Sequence, residues 1–89
     1  MKFIHADLGT VPAGSVVVAE LAGTEANVLL LDPNNFNRYR RGDSYRYYGG
    51  HFRRSPARIG VPTTGHWHAV VDLGGAAGNV RANIRVIAA

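Results

Sequence analysis

Short apolar or alternating runs, each cut off by Gly, Pro, Asn or Asp, recur along the chain and restrict it to an all-β fold. The last run shows the constraint most clearly. In NVRANIRVIA, residues 79–88, Val80, Ala82, Ile84 and Val86 fall on one side of an extended strand, and Arg81, Asn83 and Arg85 fall on the other. A period of two marks a half-buried strand, apolar inward and charged outward. KFIHADL (2–8) and SVVVAELA (15–22) read as further strands, the second rich in β-branched residues that pack on a pleated surface. GTEAN (23–27) reads as a tight connection joining SVVVAELA and VLLLD into a hairpin.

DPNN (32–35) has the chemistry of a turn: Asp32 bonds the backbone ahead of it and Pro33 pre-sets a turn dihedral. SYRYY (44–48) alternates, with Tyr45 and Tyr47 on one face and Arg46 and Tyr48 on the other, until Gly49 and Gly50 interrupt it. ARIGVP offers Ala57, Ile59 and Val61 to a core, and GGAAGN (74–79) reads as a hairpin loop that needs positive dihedrals. No stretch carries a convincing helical period. The expectation is one domain over residues 1–89, a small β-sandwich or partly open barrel of about six to eight short, mostly antiparallel strands.

Composition narrows the function classes. Cysteine is absent, which excludes disulfides and thiolate metal sites and fits a reducing cytoplasm. Neither a secretory leader nor an apolar run near the roughly 20 residues of a membrane helix is present, so a cytoplasmic chain with no membrane partner is expected. The net charge of +4 is unevenly placed. Residues 36–58 hold seven arginines against one aspartate, a local balance of +6, while the rest of the chain is acidic.

GHWHAVVDLGG (65–75) holds the densest polar chemistry. On a strand, His66, His68, Val70 and Asp72 share one face, and Trp67, Ala69, Val71 and Leu73 share the other. Two imidazoles at this spacing reach a common ion, and neutral imidazole suits Zn, Cu, Fe or Ni. Gly60, five residues, His66-x-His68, three residues and Asp72 resemble the first metal motif of cupins. The match departs from it by Asp in place of Glu, and the seventeen residues after Asp72 bring no second histidine motif. His5 or Asp7 would complete a site if the first strand lies alongside. Two histidines alone fall short of the three or four ligands of a stable site. The expectation is therefore no metal and no cofactor, with His66, His68, His5 and Asp72 as the weak candidates.

Six of the eight aromatic residues share residues 36–58 with those seven arginines. Arginine forks bind oxyanions, and aromatic faces stack on planar ligands. The side chains that would make such a contact are Arg38, Tyr39, Arg41, Tyr45, Arg46 and Tyr47. Tyr48, His51, Arg53 and Arg54 continue the set, with His66 and His68 at its rim. The bland alternative is a solubilising charge run with tyrosines in cross-strand pairs. A protein or an anionic ligand is the favoured partner and nucleic acid a less favoured one, since no nucleic-acid motif is present. Unpaired sheet edges would also permit a homodimer. No P-loop, nucleophile elbow or spaced carboxylate pair occurs, so a non-catalytic binding module is expected, with a metal-binding or self-associating domain as the alternatives.

MKFIHADLG, ANVLLLDPNNFNRYR, YYGGHFRRSPAR and GHWHAVVDLGG, in that order, resemble the bacterial domain of unknown function 1883, found alone and in some proteins joined to a TIR domain. The resemblance implies a compact, mainly β domain without established activity, and it brings no catalytic residues to carry over. A sensing or adaptor role is implied where a TIR domain is attached, and this chain has no TIR segment.

Overall fold

The computed structural model describes residues 2–23 and 25–89. Strands β1 (Phe3–Val11), β2 (Val16–Gly23) and β3 (Ala26–Leu31) are followed by helix α1 (Pro33–Arg41). Then come β4 (Tyr48–Phe52), β5 (Ala57–Gly60), β6 (Gly65–Asp72) and β7 (Val80–Ile87). They form two antiparallel sheets, a four-stranded one ordered β1-β6-β3-β4 and a three-stranded one ordered β5-β2-β7. The architecture is the expected mainly β sandwich, without barrel closure. No helix among the described residues is long and apolar enough to cross a membrane.

Period-two alternation builds the core between the sheets. Val17 and Ala19 of β2 meet Val28 and Leu30 of β3 and Trp67, Ala69 and Val71 of β6 there, all at most 5% exposed. Trp67 fills the centre, and its indole N–H donates to the Thr63 carbonyl at 3.0 Å. Val80, Ala82 and Ile84 of β7 pack on this core from their half-buried face, as the terminal alternation predicts, but Val86, expected on the same face, is exposed because the strand runs past the edge of the core there. On the opposite face of the three-stranded sheet, Val18 is fully buried although it sits in neither apolar cluster. Its register partners are Arg58 and Arg85, long side chains whose apolar stems suit them to cover a valine.

Four local expectations change. DPNN is the start of a helix. The Asp32 carboxylate accepts the Asn35 N–H at 2.8 Å as N-cap, Pro33 occupies the first turn, and Gly42 closes the helix in the left-handed conformation at φ 80°. Asp-Pro serves a turn and a helix start equally well. Only Phe36 and Tyr39 face inward from these nine residues, too few for a visible helical period. Second, β2 and β3 form no hairpin: each is an inner strand of a different sheet, and the chain crosses between sheets there. Thr24, inside that connection, lies outside the described residues. Third, GGAAGN carries the chain from β6 to β7 in the other sheet, so it is a crossover rather than a hairpin loop, although Gly74 and Gly75 do take positive φ.

Fourth, residues 44–47 are irregular, and β4 begins at Tyr48 and runs through both glycines. Gly49 is required there. Its φ is 110°, and a Cβ would lie 2.2 Å from the Val28 carbonyl oxygen and 2.8 Å from Ile59 Cδ1.

Candidate functional site

The outer face of the four-stranded sheet carries the chemistry. Helix α1 covers one part of it, where Phe36 and Tyr39 pack on Leu29, Leu31 and Val70. The rest stays open and holds the polar residues of β1 and β6. These strands pair with Asp7 opposite His68 and Thr10 opposite His66, with a register shift between Asp7 and Gly9. Gly9 takes φ 66° at this bulge, and its N–H donates to Asp7 Oδ1 at 3.0 Å. The extra residue turns the carboxylate toward His66, whose Nε2 lies 2.6 Å from the same oxygen. His5 Nε2 lies 2.8 Å from His68 Nδ1.

Stacking fixes the rings. Phe36 lies 4.2 Å from His5 at 16° and 4.5 Å from His68 at 11°, centroid to centroid. The Arg40 guanidinium carbon lies 5.1 Å from the Phe36 centroid. The Gly9 N–H, and then His66, hold the Asp7 carboxyl below its ordinary value. Partial burial pushes the His68 imidazole below the usual histidine range against the pull of Asp7, and His5, His66 and Arg40 push the same way. Asp7, His66 and His68 each offer a donor atom, and these atoms lie within 4.8 Å of one another.

Asp72 is not part of this cluster. It shares the face but sits four residues beyond His68, opposite Phe3 and Asn27. It is 4% exposed, and its Oδ1 accepts from Asn27 Nδ2 and the Gly74 N–H, each at 2.9 Å, while Oδ2 accepts from the Tyr39 hydroxyl. The carboxylate beside the histidines is Asp7, and the cupin-like spacing ending at Asp72 therefore has no geometric counterpart. Tyr39 is corrected too. It is 5% exposed, so it belongs to the core beneath the helix and not to a contact surface. Burial, followed by the bond to Asp72, raises its phenol well above the ordinary tyrosine value, and Tyr45 is raised by burial beside it.

The basic segment divides. Arg41 pairs with Asp43 at 3.0 Å, and Arg53 approaches Glu25 at 3.8 Å. His51 sits on β4 between Asn27 Oδ1 at 3.1 Å and Glu25 Oε1 at 3.2 Å. Arg54 is exposed in the β4–β5 connection. Tyr47 and Tyr48 are about half exposed, and Tyr48 sets its ring edge-on to Trp67. Arg38 and Arg46 come together on a groove of about 440 Å³ between the start of α1 and residues 44–46, lined also by Asn34, Asn35, Ser44 and Tyr45. The Arg46 N–H donates to Asn35 Oδ1 at 2.8 Å and ties the loop to the helix. Neither guanidinium has an acceptor among the described residues. A second groove of about 270 Å³ shares Asp32, Asn35 and Arg46 and continues to Tyr48, Thr63 and Trp67.

The clustering of Asp7 with the histidines depends on which strand pairs with β6, so the HxH spacing alone could not select it over Asp72. Arg38 and Arg46 are brought to one groove by the helix that the sequence pattern does not reveal.

A family profile described as a domain of unknown function (DUF1883) matches residues 1–89. No curated protein and no solved structure matches the chain.

Proposed function

Since the chain belongs to the DUF1883 family, whose description assigns no activity, we propose from its surface chemistry that it is a non-catalytic recognition domain for a small oxyanion-bearing ligand. Arg38 and Arg46 carry the reading: two guanidiniums line one groove, and neither has an acceptor among the described residues. Guanidinium forks bind carboxylate or phosphate in bidentate geometry. The neighbouring Ser44 hydroxyl and Asn34 amide add neutral donors. The Asp32 carboxylate, also on the groove, spends Oδ1 on the Asn35 backbone and side-chain N–H groups. The adjoining groove places Tyr48 beside the same Arg46, so an oxyanion head in the first groove leaves room for a planar part in the second.

Calorimetry with inorganic phosphate, succinate, adenosine monophosphate and adenosine tests this and separates phosphate from carboxylate. Phosphate or succinate is expected to bind at low ionic strength and weaken as salt rises, because exposed charge pairs are screened over about 10 Å at 0.1 M. Arg38→Ala and Arg46→Ala should each remove the heat, and adenosine should give none. Binding that persists in both variants would overturn the assignment.

A further inference from the structure

Three of the four histidines converge with one carboxylate on the outer face of the sheet beside Phe36, and none of them lines the arginine groove. We infer that Asp7, His66 and His68 form a site for one divalent transition-metal ion of the zinc or nickel class, with His5 as the outer partner that orients His68.

Backbone pairing places the donors. His66 and His68 point to one face because they are two apart on β6, and the Gly9 bulge turns Asp7 of β1 onto the same spot. Their donor atoms lie within 4.8 Å of one another and have to settle at roughly 3–4 Å around an ion held at about 2.0–2.2 Å, which means that Asp7 and His66, now 2.6 Å apart, must open slightly. Asp7 and His66 have the freedom to do so, since their side chains are 55% and 44% exposed. His68 is the fixed member, held by Phe36 and by His5. Because His5 engages Nδ1 of His68, Nε2 is the atom left for an ion, and His5 stands where metal-bound imidazoles usually find their second hydrogen-bond partner. The ion would take the place of the hydrogen bond between His66 Nε2 and Asp7 Oδ1.

Ligand chemistry selects the ion. Two imidazoles and one carboxylate suit zinc, nickel or copper, whereas calcium and magnesium prefer sites built from oxygen alone. Three protein ligands, two of them exposed, are fewer than the closed four-ligand set of a structural zinc site and leave at least one coordination position to solvent.

The full chain is titrated with Zn²⁺, Ni²⁺ and Mg²⁺ by calorimetry in a buffer free of phosphate and carboxylate, so the arginine groove does not enter the readout. One equivalent of Zn²⁺ or Ni²⁺ is expected to bind, with no heat from Mg²⁺ at the same concentration. Replacing His68 risks the packing of Phe36, so Asp7→Asn and His66→Ala, both at exposed positions, carry the test and should abolish binding. His5→Ala should weaken it by about 10–100-fold, the usual cost of losing an outer partner. His51→Ala, outside the cluster, should bind as the parent does. Co²⁺ supplies a second readout through visible d–d bands that Asp7→Asn removes. No saturable binding below millimolar Zn²⁺, binding retained in Asp7→Asn and His66→Ala, or binding lost in His51→Ala would overturn the site.

Discussion

A buried carboxylate needs donors, and Asp72 has three: the Asn27 amide, the Gly74 N–H and the Tyr39 hydroxyl. Removing the acceptor strands the buried Tyr39 hydroxyl, at a cost of about 1–3 kcal/mol, and takes a partner from the half-buried Asn27 amide and the exposed Gly74 N–H, which water can partly replace. Asp72→Ala is therefore expected to lose roughly 2–3 kcal/mol, read by urea unfolding through the fluorescence of Trp67, the single tryptophan. Tyr39→Phe removes one donor and should cost about 1–2 kcal/mol. Its pH signature is more specific. The folded Tyr39 phenol lies above its ordinary value of 10.0, so above about pH 10 the unfolded chain loses that proton while the folded one keeps it. Stability from this group is present in full below pH 10 and is lost as pH rises. Tyr39→Phe should show a shallower alkaline decline, with Tyr45, also raised, supplying part of what remains. Parallel alkaline slopes in the two proteins would contradict this account.

Helix α1 rests on its ends, because its apolar face is only Phe36 and Tyr39. Asp32→Ala removes the cap and should cost about 0.5–2 kcal/mol. It should also loosen the loop that Asn35 ties to Arg46, since Asp32 holds the Asn35 amide as well as its backbone. Gly49→Ala should be costlier than Asp32→Ala: the methyl meets the β3 backbone, which cannot move without breaking the β3–β4 ladder. Overpacking plus a positive φ amounts to about 2 kcal/mol or more, and denaturation midpoints of the two variants give the order. These elements also show what the sequence makes legible. The inner face of β6 follows from period two because Trp67, Ala69 and Val71 are all buried there, whereas its outer face passes from exposed His66 to buried Val70 and Asp72 beneath the helix. The inward residues of β5 follow for the same reason, and those of β7 as far as Ile84, Val86 being exposed. The helix does not, since Asp-Pro is ambiguous and two inward side chains form no pattern. Sheet partners do not either, since alternation says which way a side chain points and nothing about which strand lies beside it. Alternation therefore favours Asp72, on the same strand face as the histidines, and only the pairing of β1 with β6 brings Asp7 to them instead.

At the scale of the molecule, the histidine cluster joins parts of the chain that meet only on folding. Asp7 and His66 are 59 residues apart in sequence and His5 and His68 are 63 apart. β1 is an edge strand with β6 as its one sheet neighbour, so it is an element that can open while the inner strands stay paired. An ion shared by Asp7, His66 and His68 would clamp this edge to the centre of the sheet. Binding to the folded form alone adds about 2.7 kcal/mol at a ligand concentration one hundred times Kd. For a domain of this size each kcal/mol is worth about 4–8 °C, so Zn²⁺ should raise the melting temperature by roughly 10–20 °C. Hydrogen exchange should show where that stability goes: amides of β1 that bond to β6 are expected to slow more than those of β2, which lies in the other sheet. Asp7→Asn should melt at the same temperature with and without Zn²⁺. A Zn²⁺ effect spread evenly over both sheets, or one that survives Asp7→Asn, would place the ion elsewhere than on the β1–β6 edge.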